Sequence, residues 1–283
     1  MDLSLRDVVR ALDRLYPPAG AADWDRVGLV TGDLAQPVRR VLLTVDPTLA
    51  VIEEAAAWGA DLIVAHHPLL LRGVSSVATT SAKGAAVTRL VVSDIALHVA
   101  HTNADVADPG VTTVLAEALG LTGCRPLSSD GQYAVGRVGD LPAPETLAAF
   151  ADRVAGALPA TAGGIRVSGD PGALVGTVAV LGGAGDDRFD AVRASGADVY
   201  VTADLRHHPA LEAREEARGG PPYLVDAGHW ASESLWLTDL RHRLLRALGD
   251  DPAAPARVEA EVSTIRTEPW TFVVGANAAG GIP

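Results

Sequence analysis

The opening segment, MDLSLRDVVRALDRLYPP, alternates apolar and charged positions at helical spacing and predicts a helix over about Leu5 to Leu15, ending near Pro17 and Pro18. A loop follows, ADWDRVGLVTGD, which holds Trp24, Asp25, Gly28 and Gly32. The pattern then changes to short apolar runs. Val38 to Asp46, Leu62 to Ala65 and Ile95 to Ala100 read as buried strands, with helices over about Pro47 to Trp58 and Ala82 to Ser93 between them. Pro47 in the first turn and Gly59 just past the end are the usual asymmetry of helix termini. Strand, helix, strand, helix, strand predicts a mostly parallel sheet with helices on its faces.

From about Cys124 to Pro171 the chain is rich in Pro, Gly, Ala and Ser, with one helical stretch at Ala143 to Leu158, and reads as a boundary region. The pattern beyond it repeats the first half. Leu174 to Leu181 is a strand, Asp187 to Ala194 a helix, and Gly196 to Thr202 (GADVYVT) matches Gly59 to Ala65 (GADLIVA) almost residue for residue. Tyr223 to Ala227 is a further strand. The expectation is an internal duplication into two α/β halves with mixed, mostly parallel sheets, residues 1–124 and 125–283. The closing C-terminal segment is compatible with either half.

The predicted strands end in histidines. His66, His67 and Pro68 follow the first GAD strand, and His207, His208 and Pro209 lie just beyond the second. His101 is followed four residues later by Asp105, and His229 by Glu233. A lone histidine after a strand is more often a cap or a packed residue than a ligand. Here six of the eight histidines sit in four such motifs, which leaves His98 to packing and His242 to a solvated helix face. Adjacent strand residues point to opposite faces, so His66 and His67 reach one site only if the backbone turns or the site holds more than one ion. The four-residue spacings place imidazole and carboxylate on one helical face, which suits a chelate and equally a hydrogen-bonded surface pair. His66, His67, Asp105, His229 and Glu233, with His101 as a candidate sixth, exceed the three protein ligands of a mononuclear catalytic zinc site. That surplus points to two divalent ions sharing an activated water. Imidazole and carboxylate suit Zn, Mn, Fe, Co and Ni alike.

Composition narrows the alternatives. The chain has 283 residues, 48% hydrophobic and 20% charged, which is ordinary for a globular protein. No apolar run is long enough to span a membrane and no signal-peptide core opens the chain, so a cytoplasmic location is expected. The single cysteine, Cys124, excludes an internal disulfide and a thiolate zinc site. A net charge of -12, with Lys83 the only lysine, argues against a nucleic-acid partner. There is no Gly-x-Ser-x-Gly nucleophile elbow. LGGAGDD, at Leu181 to Asp187, reads either as a glycine-rich phosphate loop or as a tight strand-to-helix turn, and no lysine follows it. Asp25 and Asp204 are carboxylates of interest, Asp204 as a residue that orients a ligand.

WDRVGLVTGD, GADLIVAHHPLLLRG, HTNADVADPG, TADLRHH and DAGHWASE, in that order between about Ala22 and Trp270, resemble the successive signatures of the NGG-interacting-factor-three-like family, whose members are also called GTP cyclohydrolase I type 2 homologues. The resemblance implies two similar α/β domains with a dinuclear metal site between them, in a ring-shaped homohexamer. It also implies ligation by His66, His67, Asp105, His229 and Glu233, with a less defined role for His101. Where the family usually has Thr-Gly-Asp or Thr-Gly-Glu, this chain has Thr202, Ala203 and Asp204. The short middle segment implies the form without an inserted domain. The expected function is a dinuclear metal-dependent hydrolase of the GTP cyclohydrolase kind, acting on a purine nucleotide. His101 or His208 would be the catalytic proton shuttle, and Arg72, Arg206 and Lys83 are the nearest basic groups for a triphosphate. A metal-dependent phosphoesterase and a non-catalytic metal-binding or regulatory oligomer are the alternatives.

Overall fold

The computed structural model describes residues 3–249 and 258–275. Its first helix, Leu5–Leu15, starts where Ser4 and Asp7 form a reciprocal cap: the Ser4 side chain accepts from the Asp7 amide, and the Asp7 carboxylate accepts from the Ser4 amide. Its apolar stripe, Leu5, Val8, Ala11 and Leu12, is fully buried. Helix Leu49–Trp58 is capped by the Thr48 hydroxyl and stopped by Gly59 in the left-handed conformation, at φ 76°. The strands Arg40–Thr44, Leu62–Ala65 and Ala96–Val99 between these helices are almost continuously buried, as expected of parallel strands covered on both faces.

Those strands lie in a five-stranded sheet ordered Glu259–Val262, Arg40–Thr44, Leu62–Ala65, Ala96–Val99 and Gly28–Thr31, parallel throughout except for the last pair. One face packs Leu42, Ile63 and Leu97 against helices Leu49–Trp58 and Ala82–Val92. The other packs Val41, Leu43, Leu62 and Val64 against helix Leu5–Leu15 and helix Trp236–Ala247. The closing helix and the edge strand Glu259–Val262 therefore belong physically with the first sheet, although about a hundred residues of the second sheet separate them from it along the chain.

The second sheet has six strands, ordered Thr122–Asp130, Tyr133–Thr146, Leu174–Ala184, Val199–Ala203, Tyr223–Asp226 and Arg166–Ser168. Only its three inner strands from Leu174 onward are mutually parallel; the other three pairings are antiparallel. The expectation of mostly parallel sheets is thus corrected here. Much of the difference comes from the segment that composition marked as a boundary. Thr122–Asp130 and Tyr133–Thr146 form a long hairpin around Gly131 and Gln132, with Asp130 opposite Tyr133 and Gly131 at φ 57°. The predicted helix at Ala143 to Leu158 begins only at Leu147, because Tyr133–Thr146 stays extended up to the Thr146 cap.

Phe150, Leu115 and Leu147 cover one face of this sheet over Val178, Val180, Val199 and Val201. Phe189, Val192 and Ala213 cover the other, over Tyr200 and Leu224. Among the described residues no helix is long and apolar enough to cross a membrane. In each sheet the parallel trio is in close register, with Thr44 beside Ala65 and Ala65 beside Val99 in one, and Val201 beside Val225 in the other. The residues that leave these strands at their carboxyl ends therefore emerge side by side.

Candidate metal centre

From the first sheet, Asp46 follows Arg40–Thr44, His66 and His67 follow Leu62–Ala65, and His101 follows Ala96–Val99. From the second, Gly183 lies at the end of Leu174–Ala184, Asp204 follows Val199–Ala203, and His229 with Glu233 follows Tyr223–Asp226. The two sets meet. The rings of His67 and His229 lie 5.0 Å apart, those of His66 and His67 5.0 Å, and that of His101 lies 5.1 Å from His66 and 5.5 Å from His67.

The backbone supplies the turn that lets adjacent histidines converge. The amides of His66 and His67 bond to the successive carbonyls of Thr44 and Val45, at 3.0 and 2.8 Å, whereas successive amides of a regular strand point to opposite neighbours, so the chain bends at these two residues. Each ring is then held at Nδ1. His66 Nδ1 lies 2.9 Å from the Ala100 carbonyl, His67 Nδ1 2.7 Å from Asp46, His101 Nδ1 2.9 Å from Asp25, and His229 Nδ1 2.8 Å from Asp204. A carbonyl or an ionised carboxylate can only accept, so Nδ1 carries the hydrogen in all four rings and the Nε2 atoms are left facing inward.

What they face is Glu233. Its Oε1 lies 3.1 Å from His229 Nε2 and 3.5 Å from His66 Nε2, and its Oε2 lies 3.1 Å from His67 Nε2. Asp105 Oδ1 is 3.5 Å from His66 Nε2, and the Nε2 atoms of His67 and His229 are 3.2 Å apart. Three of these inward atoms, His66 Nε2, Asp105 Oδ1 and Glu233 Oε2, are buried with no hydrogen-bond partner. Lone pairs so close together and without donors repel unless a proton or a cation lies between them. Among the described residues two groups of donors are tight enough to hold an ion: His66, His67 and His101; and His67, His229 and Glu233. His67 belongs to both.

The electrostatics follow from this packing. Burial alone would lower the His67 imidazole, but Asp46 and Glu233 outweigh it and push it up to about 10. Against the same opposing effect, Glu233 and Asp204 raise His229 to about 9. Burial pushes the Glu233 carboxyl up, and the surrounding His66, His229 and His67 bring it well below its usual range. Burial raises Asp105. Asp25 is held below the usual carboxylate range, despite its burial, by His101 and by the amide and hydroxyl of Thr102.

Of the residues singled out from sequence, His66, His67, His101, Asp105, His229 and Glu233 come together here, and Asp25 and Asp204 each hold one of the rings. His208 does not join either group among the described residues: it sits exposed in the first turn of helix His207–Ala217, its ring edge-on to His207 at 5.2 Å. His98 is buried in its strand and His242 is exposed on the last helix. Among the basic groups, Lys83 donates to the Leu69 carbonyl at 2.6 Å, Arg206 is paired with Asp186, and Arg72 is exposed.

The stretch read as a candidate phosphate loop has another use. Gly182 and Gly183 lie inside the strand, and a Cβ on Gly183 would come 2.4 Å from Glu233 Oε1. The glycine makes room for the carboxylate. Asp46 is the partner that sequence reading passed over; its only signal was its place at the end of a strand neighbouring the His66 strand. Beneath the site, Trp236 packs 5.4 Å from the His66 ring and donates to the Tyr16 hydroxyl at 3.1 Å.

Residues 3–269 match the model of a family described as Duf34/NIF3 (NGG1p interacting factor 3). The chain is 50% identical to a GTP cyclohydrolase 1 type 2 homolog of Streptomyces coelicolor, over 99% of each chain. Among solved structures it is similar to a Bacillus cereus protein related to NIF3, with a TM-score of 0.86 at 25% identity, covering 96% of this chain and 100% of that one. Staphylococcus aureus protein SA1388 is similar with a TM-score of 0.86 at 27% identity, over 96% and 99% of the two chains.

Proposed function

The chain belongs to the Duf34/NIF3 family, and on that premise we propose that it is a hydrolase dependent on two divalent ions, held by His66, His67, Asp105, His229 and Glu233 between two duplicated α/β halves. The observation that carries this reading is the set of inward lone pairs on His66 Nε2, Asp105 Oδ1 and Glu233 Oε2, buried without a donor around a carboxylate whose two oxygens face different histidines. Zn, Mn, Fe, Co and Ni all suit these donors. Such ions supply a water that ionises near neutral pH.

The rest of the chemistry falls to the chain itself. His101 is the group that takes up and hands on a proton at Nε2, since Asp25 fixes its Nδ1 hydrogen at 2.9 Å. We assign the shuttle to His101 rather than His208, which faces solvent on its helix. The substrate in this reading is a small molecule with a hydrolysable ring, a purine nucleotide such as GTP, in keeping with the name of the Streptomyces relative. Trp24 supports a planar substrate: it is 59% exposed and edge-on to His101 at 5.9 Å, offering an aromatic face beside the proton shuttle. A phosphoesterase is the alternative enzyme. Exposed Trp270 and Phe272 supply apolar surface for the homohexamer that we assign to it.

The test is to load the purified protein with each ion in turn and assay GTP and a panel of phosphoesters, against a His67→Ala, Glu233→Ala double variant. Ring opening of GTP that disappears in the variant is the expected result. Turnover unchanged by the substitutions, or absent with every ion, overturns the hydrolase reading. Cleavage of phosphoesters alone moves the assignment to the alternative enzyme, and two bound ions without turnover moves it to a metal-binding oligomer.

A further inference from the structure

After the edge strand Glu259–Val262 the chain is anchored at nearly every step. The Ser263 hydroxyl donates to Glu54, and the Thr264 amide and hydroxyl donate to the same carboxylate at 2.9 and 2.7 Å. Arg266 Nη1 then donates to the Ala160 carbonyl at 2.8 Å, which ties this segment to the second half of the chain. The Thr267 hydroxyl donates to Asp46 Oδ2.

Asp46 is thereby divided between two partners, Oδ1 on His67 Nδ1 at 2.7 Å and Oδ2 on Thr267. The terminal torsion of an aspartate is broad, so one hydrogen bond leaves the carboxylate free to swing and two fix its plane. Fixing that plane fixes the direction in which Oδ1 meets the imidazole, and hence where His67 Nε2 points. His67 is common to both donor groups, so an error in its aim is felt in both. We infer that Thr267 is a positioning residue for the metal centre, acting through Asp46 on His67, and that residues 263–267 are the strap that sets this ligand from the far end of the chain.

Only the metal-affinity arm of the test rests on the two-ion reading. Thr267→Val removes the hydroxyl and keeps the shape; Thr267→Ser keeps the hydroxyl. In the metal-free protein, the His67 Nδ1 hydrogen is followed by imidazole nitrogen NMR. Thr267→Val should broaden the signal or speed its exchange with water, and Thr267→Ser should leave it as in the wild type. In a Co2+ titration Thr267→Val should bind about ten- to a hundredfold more weakly, with Thr267→Ser restoring affinity. In an Asp46→Ala background the Val substitution should add nothing. Melting curves in chelator check the fold, and Thr267→Ala replaces the Val variant if that one does not fold. A wild-type imidazole signal in Thr267→Val overturns the inference. So does a loss that serine does not restore, or one that persists in full without Asp46. A wild-type protein that takes up no Co2+ defeats the two-ion reading, while the imidazole signal still decides the role of Thr267.

Discussion

Replacing Gly183 by alanine should weaken metal binding without unfolding the protein. A Cβ at this position lies 2.4 Å from Glu233 Oε1 and 3.4 Å from His229 Nε2. Carbon and oxygen settle at about 3.5 Å, so the carboxylate must retreat by about 1 Å. In an exposed glutamate that movement costs little. Glu233 is 3% exposed, and its oxygens already stand 3.1 Å from His229 Nε2 and 3.1 Å from His67 Nε2, so a shift of that size changes the spacings on which shared ligation would depend. The backbone adds about 1–2 kcal/mol, because Gly183 has φ 71°, a left-handed conformation that alanine adopts at a cost. The expected outcome is a loss of metal affinity of about ten- to a hundredfold, read by chelator competition, with the melting transition lowered but still cooperative. Gly182→Ala is the control. Its φ is ordinary and its Cβ meets Val111 Cγ1 at 2.8 Å, so it should lose about 1–3 kcal/mol by overpacking and keep its metal. Wild-type affinity in Gly183→Ala, or equal losses of metal in the two variants, would refute the close-approach argument.

The shared position of His67 predicts unequal stoichiometry: His67→Ala should lose both ions by elemental analysis, His229→Ala, in one donor group, should retain one, and His101→Ala, which removes the proton shuttle and none of the five ligands, should retain both while losing turnover. Metal uptake should release protons. Asp46 and Glu233 raise His67, and Glu233 and Asp204 raise His229, against their burial, whereas ligation needs the neutral rings, so affinity should rise with pH across the neutral range. Calorimetry at pH 7.5 in buffers of different ionisation enthalpy measures this, and a heat independent of buffer would contradict it. Tyr16→Phe should destabilise the fold by about 1–3 kcal/mol, seen in urea denaturation, because the buried Trp236 Nε1–H loses its acceptor beneath His66.

The strand, helix and histidine pattern was legible because it is local. A buried strand announces itself by a run such as Leu62 to Ala65, a helix end by Gly59, and an imidazole and carboxylate on one face by the spacing of His229 and Glu233. The same words did not mean the same thing twice, however. After Leu62–Ala65 the histidines follow directly and turn into the centre. After Val199–Ala203 three residues intervene, beginning with Asp204 at φ 54°, so His207 and His208 start a helix and face solvent.

What the sequence by itself determined was therefore the elements and the chemical character of the site: apolar strands ending in imidazoles and carboxylates. What only the tertiary structure decided was which partners orient and crowd them. Asp46 against His67, Gly183 against Glu233, Thr267 against Asp46, and the return of Trp236–Ala247 and Glu259–Val262 to the first sheet all join residues far apart in the chain. Periodicity reports the face a residue presents within its own element. It carries no information on how two sheets are set against each other, and the depth and aim of this centre depend on that packing.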